Sequence, residues 1–178
     1  MVYDAAARPP HGRWRIGASE AGASMYDEVI VRPLRQGDAD AVRSLDGRIV
    51  GPERSKSWDL YVDRFLRLTD LNSLPESPWG CHVAEIRGRI VGFLLSELRG
   101  GEYGLPRGAW IMAVGVEPKL RRKGIGRKLV DELMSQCRQR RIPDIYAAIL
   151  PGDNEATSFV RSCGLDPSRG VAIYSKGV

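Results

Sequence analysis

Val116-Glu-Pro-Lys-Leu-Arg-Arg-Lys-Gly-Ile-Gly-Arg-Lys-Leu129 is the stretch whose reading decides the fold. An apolar strand end, a basic glycine-containing loop and the start of an amphipathic helix meet within it. Gly124 and Gly126 carry no Cβ, so the chain is free to turn tightly there and to bring its backbone close to a ligand. The first amides of a helix have no intrahelical partner, and the helix dipole adds roughly half a positive charge at that end. An anion placed there is held by backbone groups more than by any one side chain. Lys119, Arg121, Arg122, Lys123, Arg127 and Lys128 surround the turn, and no acidic residue lies between Lys119 and Lys128. The pattern is that of a pyrophosphate cradle, and its rival is a solvated basic helix start behind a glycine turn. Other phosphate loops fit worse. The segment lacks the third glycine of a dinucleotide fingerprint, and no Gly-x-x-x-x-Gly-Lys-(Ser/Thr) loop occurs.

The rest of the composition narrows the setting. A chain of 178 residues is expected to form one domain able to bury a core. Its 43% hydrophobic and 28% charged residues are those of a globular protein. No apolar run approaches the ~20 residues that span a bilayer, and the first residues contain no apolar signal-like region. The net charge of +5 permits a polyanionic partner without requiring one. Arg138, Arg140 and Arg141 fall where cations complement a helix C-terminus. Cys81, Cys137 and Cys163 are widely spaced, and with only His11 and His82 beside them no zinc pattern is present. Three reduced thiols in a cytoplasmic protein are expected, with no metal.

Residues 1–27 are rich in Ala, Gly, Arg and Pro without periodicity and read as a flexible arm, with the domain running from 28 to 178. Val29 to Leu34 reads as a strand, followed by a helix capped by Asp38 and reaching about Leu45. A loop with Gly47, Gly51 and Pro52 leads to a second helix over Trp58 to Leu68. Cys81–Ile86 and Ile90–Leu98 form a hairpin across Arg87-Gly88-Arg89. Ala109 to Val116 is nearly all apolar, as in a strand buried on both faces. The helix from about Gly126 to Arg140 repeats Ile125, Leu129, Leu133 and Cys137 every fourth residue. Strands over Asp144–Leu150 and Val171–Ser175 flank a short helix that Asp153 or Asn154 caps and Gly164 ends.

Arg121-Arg122-Lys123-Gly124-Ile125-Gly126 resembles the (Gln/Arg)-x-x-Gly-x-(Gly/Ala) signature of the GNAT superfamily of acetyl-CoA-dependent N-acetyltransferases. Asp153, Ala156, Phe159 and Gly164 match the spacing of that family's second, Asn-x-x-Ala-type segment, with Asp153 in the Asn position and Asn154 beside it. The resemblance covers about residues 29–178. It implies an α/β (α+β) GNAT fold: a mixed, mostly antiparallel sheet, splayed between the central strand and the next and flanked by helices. It further implies that acetyl-CoA lies with its pantetheine arm on the backbone of Val114, Gly115 and Val116. The diphosphate would then rest on amides between Arg122 and Arg127, with Arg121, Lys123, Gly124, Ile125 and Gly126 in the cradle. Asp153, Asn154, Ala156 and Phe159 would flank the cofactor arm. Gly115 suits a bulge or a close backbone approach.

The implied reaction is transfer of an acetyl group to an amine, peptidyl or small-molecule, by direct attack in a ternary complex. Here the chain departs from the family. Trp110, Ala148 and Val160 fill three places where members often carry a proton-transfer group. The base is therefore not assigned. Glu97 and Glu102, following the third strand, and Tyr174 on the last strand are weak candidates, with Tyr146, Ser158 and Cys163 behind them. The alternative function is a catalytically weak acyl-CoA-binding sensor or regulatory module. Nucleic acid is disfavoured because few aromatics interleave with the basic loop. A membrane partner is not expected, and a homodimer is left open.

Overall fold

The four-residue repeat of Ile125, Leu129, Leu133 and Cys137 places those side chains on one face of a helix, where burial drives it onto a sheet. The computed structural model describes residues 29–51, 62–63, 77–100 and 102–167. Its strands are β1 (Ile30–Pro33), β2 (Ser77–Pro78), β3 (His82–Ile86), β4 (Arg89–Arg99), β5 (Gly108–Val116) and β6 (Asp144–Ala147). Its helices are α1 (Ala39–Val50), α2 (Ile125–Arg140) and α3 (Asn154–Ser162). The sheet runs β1-β3-β4-β5-β6, with β2 paired to β4 off that path. Every pairing is antiparallel except β5 with β6. This is the mixed, helix-flanked architecture that the sequence implies.

The two faces of the sheet hold separate cores. Val42 and Leu45 of α1, together with Val62, pack on Val83, Phe93 and Leu95. The stripe of α2 packs on Leu94 and Ala109 on the other face, joined by Cys163. Each of these fully buried leucines contributes about 1.5–3 kcal/mol relative to exposure. Gly92 makes the second contact possible, since a Cβ there would come within 3.2–3.3 Å of Ile125 and Leu129.

Several expected boundaries move. α1 continues past Leu45 to Val50, taking Gly47 into the helix, and Gly51 ends it. Asp38 does not cap α1 with its side chain. Its buried carboxylate instead accepts from the Arg35 amide at 2.8 Å and from both terminal nitrogens of Arg32 at 2.7 and 2.9 Å. Arg32 also reaches Glu85 at 2.9 Å, so one guanidinium ties β1 to β3 and to the turn before α1. The strand expected over Asp144–Leu150 ends at Ala147. The short β2 pairing lies outside any patterned segment of the sequence. Of the proposed second helix only Val62 and Asp63 are described, both helical. Trp58, Tyr61, Phe65 and Leu68 lie outside the described residues, as do the arm at 1–27 and the last strand with Tyr174.

Candidate active site

Strand β5 is the axis of the site. β6 pairs with it only from Gly108↔Asp144 to Ile111↔Ala147. Beyond Ile111 that edge of β5 has no strand partner among the described residues, so 112–116 offers main-chain donors and acceptors along an open edge. This opening corrects one expectation. Most of β5 is half-buried rather than enclosed on both faces.

The opening is accompanied by a bulge. Leu95 pairs with Ala113 and Ser96 with Ile111, which leaves Met112 as an extra residue on β5. Gly115 is not the bulge. A Cβ on it would fall 2.6 Å from the Phe93 ring and 2.7 Å from Ile49, so its bareness serves the α1-side core.

The loop after β5 carries two left-handed residues, Arg122 at φ 60° and Gly124 at φ 79°. Gly124 is the N-cap of α2 and supplies no side-chain cap, so the opening amides of α2 keep their capacity for an anion. A Cβ on Gly124 would meet nothing within 4 Å. Its glycine answers to conformation, where other residues are strained. Gly126 answers to packing: a Cβ there would lie 2.9 Å from the ring of Phe159. That contact brings the two sequence segments together, and Arg121 adds an ion pair to Glu155 of α3 at 3.3 Å.

The cations of the loop are not equivalent. Arg127 donates to the Ser162 carbonyl at 2.7 Å, tying α2 to the end of α3 and leaving its amide as the group for an anion. Asp153, not Asn154, caps α3, accepting from the Ala156 amide at 2.9 Å. Asn154 is exposed at the start of that helix and Ala156 is half-buried within it. An open strand edge, uncapped helix amides and adjoining cations suit the carbonyls, amides and phosphates of a coenzyme A chain.

At the other end of β5 the expected catalytic candidates separate. Glu97 does not follow its strand as a solvated charge. It lies inside β4, opposite Trp110, at 1% exposure. Arg99 donates to one of its carboxylate oxygens from Nε at 2.9 Å and Nη2 at 2.7 Å. Buried and doubly bonded, Glu97 is poorly placed to take a proton from a substrate. Glu102 opens a short turn, Glu102–Gly104. Tyr146 stands against Trp110, and its phenol is shifted upward by burial and by Asp144. Cys163 is buried, which pushes its thiol up, and Ser158 is exposed on α3. Val160 is half-buried on α3, and Ala148 is exposed just past β6. The Arg99 guanidinium sits 5.8 Å from the centre of the Trp110 ring; neither this contact nor the bulge at Met112 leaves a spacing signal in the sequence.

Cys81, Cys137 and Cys163 are all free and buried. Among the described residues no cluster of three His, Cys, Asp or Glu is arranged for a metal, and no helix is long and apolar enough to cross a membrane.

Comparison with solved structures finds this fold in several acetyltransferases. A complex of AAC(6')-Iy with the bisubstrate analogue CoA-S-monomethyl-acetylneamine matches with a TM-score of 0.69 at 14% identity, covering 85% of this chain and 99% of that one. The aminoglycoside antibiotic 6'-N-acetyltransferase AAC(6')-Ih from Acinetobacter baumannii matches at 0.68 and 12%, covering 84% and 99%. The ribosomal-protein-S18-alanine N-acetyltransferase from Escherichia coli matches at 0.59 and 16%, covering 79% of each. At these identities the likeness is one of fold. No curated protein matches the chain in sequence. The profile of the Acetyltransferase (GNAT) family matches residues 41–165, well over half of the chain, and the chain belongs to that family.

Proposed function

We propose that this acetyltransferase, which moves an acetyl group from acetyl-CoA to an amine, works by direct attack in a ternary complex built along β5. The single observation that carries the reading is the open edge of β5 at 112–116 leading into the uncapped start of α2. Acetyl-CoA supplies an activated acetyl group. The backbone of Val114, Gly115 and Val116 binds its pantetheine arm, and the amides from Arg122 to Arg127 bind its diphosphate. Arg121 and Lys123 add charge, Gly124 sets the turn, and the amides of Ile125 and Gly126 point the helix start at the phosphates. Asn154, whose neighbour Asp153 is occupied as the cap, is the polar group of α3 nearest this role; Ala156 and Phe159 line that side.

The acceptor must arrive as a free amine, since a lysine-type ammonium with pKa near 10.4 is almost wholly charged at neutral pH. Its nitrogen attacks the thioester carbon, the C–N bond forms as the C–S bond breaks, and the electron pair leaves on sulfur. The amine proton passes to water, and the departing thiolate takes one from water. This assignment follows from Trp110, Ala148 and Val160, which have no proton to exchange at neutral pH, and from the engaged carboxylate of Glu97. The three buried thiols support a reducing compartment, the cytoplasm.

Isothermal titration calorimetry with acetyl-CoA, followed by CoA release on a panel of amines, tests the reading. Micromolar binding and turnover are expected. Absence of binding at high micromolar acetyl-CoA overturns it.

A further inference from the structure

Upstream of the bulge, β5 carries a feature that acetyl-CoA binding does not use. Trp110 and Tyr146 are paired across β5 and β6, with ring centroids 5.0 Å apart and planes tilted by 39°. Gly108 is bare beneath them: a Cβ there would meet the Tyr146 ring at 2.5 Å, so the ring lies across the strand backbone. Tyr103 completes the row, 6.3 Å from Trp110. It is 67% exposed and held at φ 54°, a left-handed conformation that a tyrosine rarely adopts. A strained, solvent-facing aromatic beside two stacked ones is a costly arrangement for a surface with nothing to bind.

Behind the row stands a support. The Arg99 guanidinium sits 5.8 Å from the centre of the Trp110 ring, and buried Glu97 grips it through two hydrogen bonds. A buried ion pair contributes little net stability compared with apolar packing in the same volume. Its effect here is to fix the guanidinium and, through it, the indole.

We propose that Tyr103, Trp110 and Tyr146 form the wall that receives the acceptor, and that the acceptor is a primary amine carried on a flat, weakly polar ring. The proposal rests on the acetyl-transfer reading above and adds the substrate class. Chemistry supports it: aromatic faces offer offset or tilted stacking to a flat partner. The cation position beside Trp110 is already taken by Arg99, so an ammonium group of the acceptor cannot occupy it. Trp110 is then a specificity-determining residue, and Glu97 and Arg99 are positioning residues that act through it.

The test uses the full chain at saturating acetyl-CoA, with initial rates of CoA release on 2-phenylethylamine, spermidine and kanamycin. 2-Phenylethylamine is expected to have the highest kcat/KM of the three by about tenfold. Trp110→Leu should raise its KM about tenfold, the loss expected for one aromatic face, with acetyl-CoA affinity by calorimetry unchanged. Tyr103→Asn removes an exposed ring and substitutes a residue at ease with positive φ. It should raise the same KM severalfold without lowering the melting temperature, which keeps the test sound should Trp110→Leu fail to fold. Glu97→Gln should raise KM for 2-phenylethylamine more than it lowers kcat. Preference for spermidine or kanamycin, an unchanged KM in Tyr103→Asn, or acetyl-CoA binding with no turnover of any of the three overturns the acceptor class while leaving donor binding intact. Failure to bind acetyl-CoA at all overturns the transferase reading beneath it.

Discussion

Replacing Gly126 with alanine distinguishes the two reasons a glycine can stand at the start of α2. The added Cβ would lie 2.9 Å from Cε2 and 3.2 Å from Cζ of Phe159, and 3.6 Å from Cγ2 of Val116. Carbon contacts settle at roughly 3.5–4.0 Å, so the ring must withdraw by about 0.6–1 Å. Overpacking of this kind costs roughly 1–3 kcal/mol. Alanine recovers about 1 kcal/mol over glycine in a helix. The net cost is then about 0–2 kcal/mol, a fall in melting temperature of a few degrees for a chain of this size. Combining the change with Phe159→Ala should remove the penalty, since the clash partner is gone. The coupling in a double-mutant cycle should be about 1–2 kcal/mol. Thermal melts supply the stability arm and calorimetry with acetyl-CoA the binding arm. Acetyl-CoA affinity of the double variant should fall within about threefold of Phe159→Ala alone. If alanine instead costs the same stability and the same affinity in both backgrounds, Gly126 is bare for the ligand and the packing argument is wrong.

Asp38→Asn should destabilise the fold by about 2–4 kcal/mol, because it strips the Arg32 guanidinium of its bidentate partner. Burial alone would raise the Asp38 carboxyl, but Arg32 and the Arg35 amide outweigh it and hold the group below its ordinary 3.8. Its stabilisation is therefore full above that value and lost as pH falls through the lower native one; urea midpoints from pH 7 to 2 should show a shallower acid limb in the variant. His82 is fully buried and pushed down to about 4 by that burial, while its Nε2 accepts from Gln136 at 2.8 Å. The unfolded chain takes up a proton near 6.5 that the folded chain refuses until about 4, so stability should decline by about 3 kcal/mol between those values; His82→Gln should flatten that decline, and an unchanged slope would count against it. Leu129→Ala, at the centre of the α2 stripe, should cost about 2–5 kcal/mol in the same assay. Gly124→Ala meets no neighbour yet must hold φ 79°, so a loss of about 1–2 kcal/mol with no steric partner to rescue it is expected.

Much of this arrangement was readable from residue order, for identifiable reasons. The α2 stripe and the β3–β4 hairpin follow from local periodicity and turn chemistry, and they emerged within a residue or two. The turn into α2 was legible because Gly124 acts through local backbone conformation. What escaped depends on partners distant in sequence. The packing of Gly115 against Phe93 and Ile49, and of Gly126 against Phe159, had no local signal. Glu97 was a weak candidate for the base, and its burial opposite Trp110 depends on the pairing of β4 with β5. Asp38 looked like a cap until Arg32, on another element, claimed its carboxylate. Side chains whose role is set across the sheet carry no signature in their own neighbourhood.

The extra residue at Met112 has a consequence for how β5 is numbered against its two sides. Ala109, Ile111, Val114 and Val116 all turn toward α2, whereas Met112, Ala113 and Gly115 turn toward α1. The alternation therefore changes parity in mid-strand: odd positions before Met112 share a side with even positions after it. Trp110 and Gly115 occupy one side of a single strand although an odd number of steps separates them, which a regular strand forbids. Met112 is thus a phase marker. Any relative that lacks the inserted residue must reach the same acceptor wall with its aromatic moved by one place along the chain.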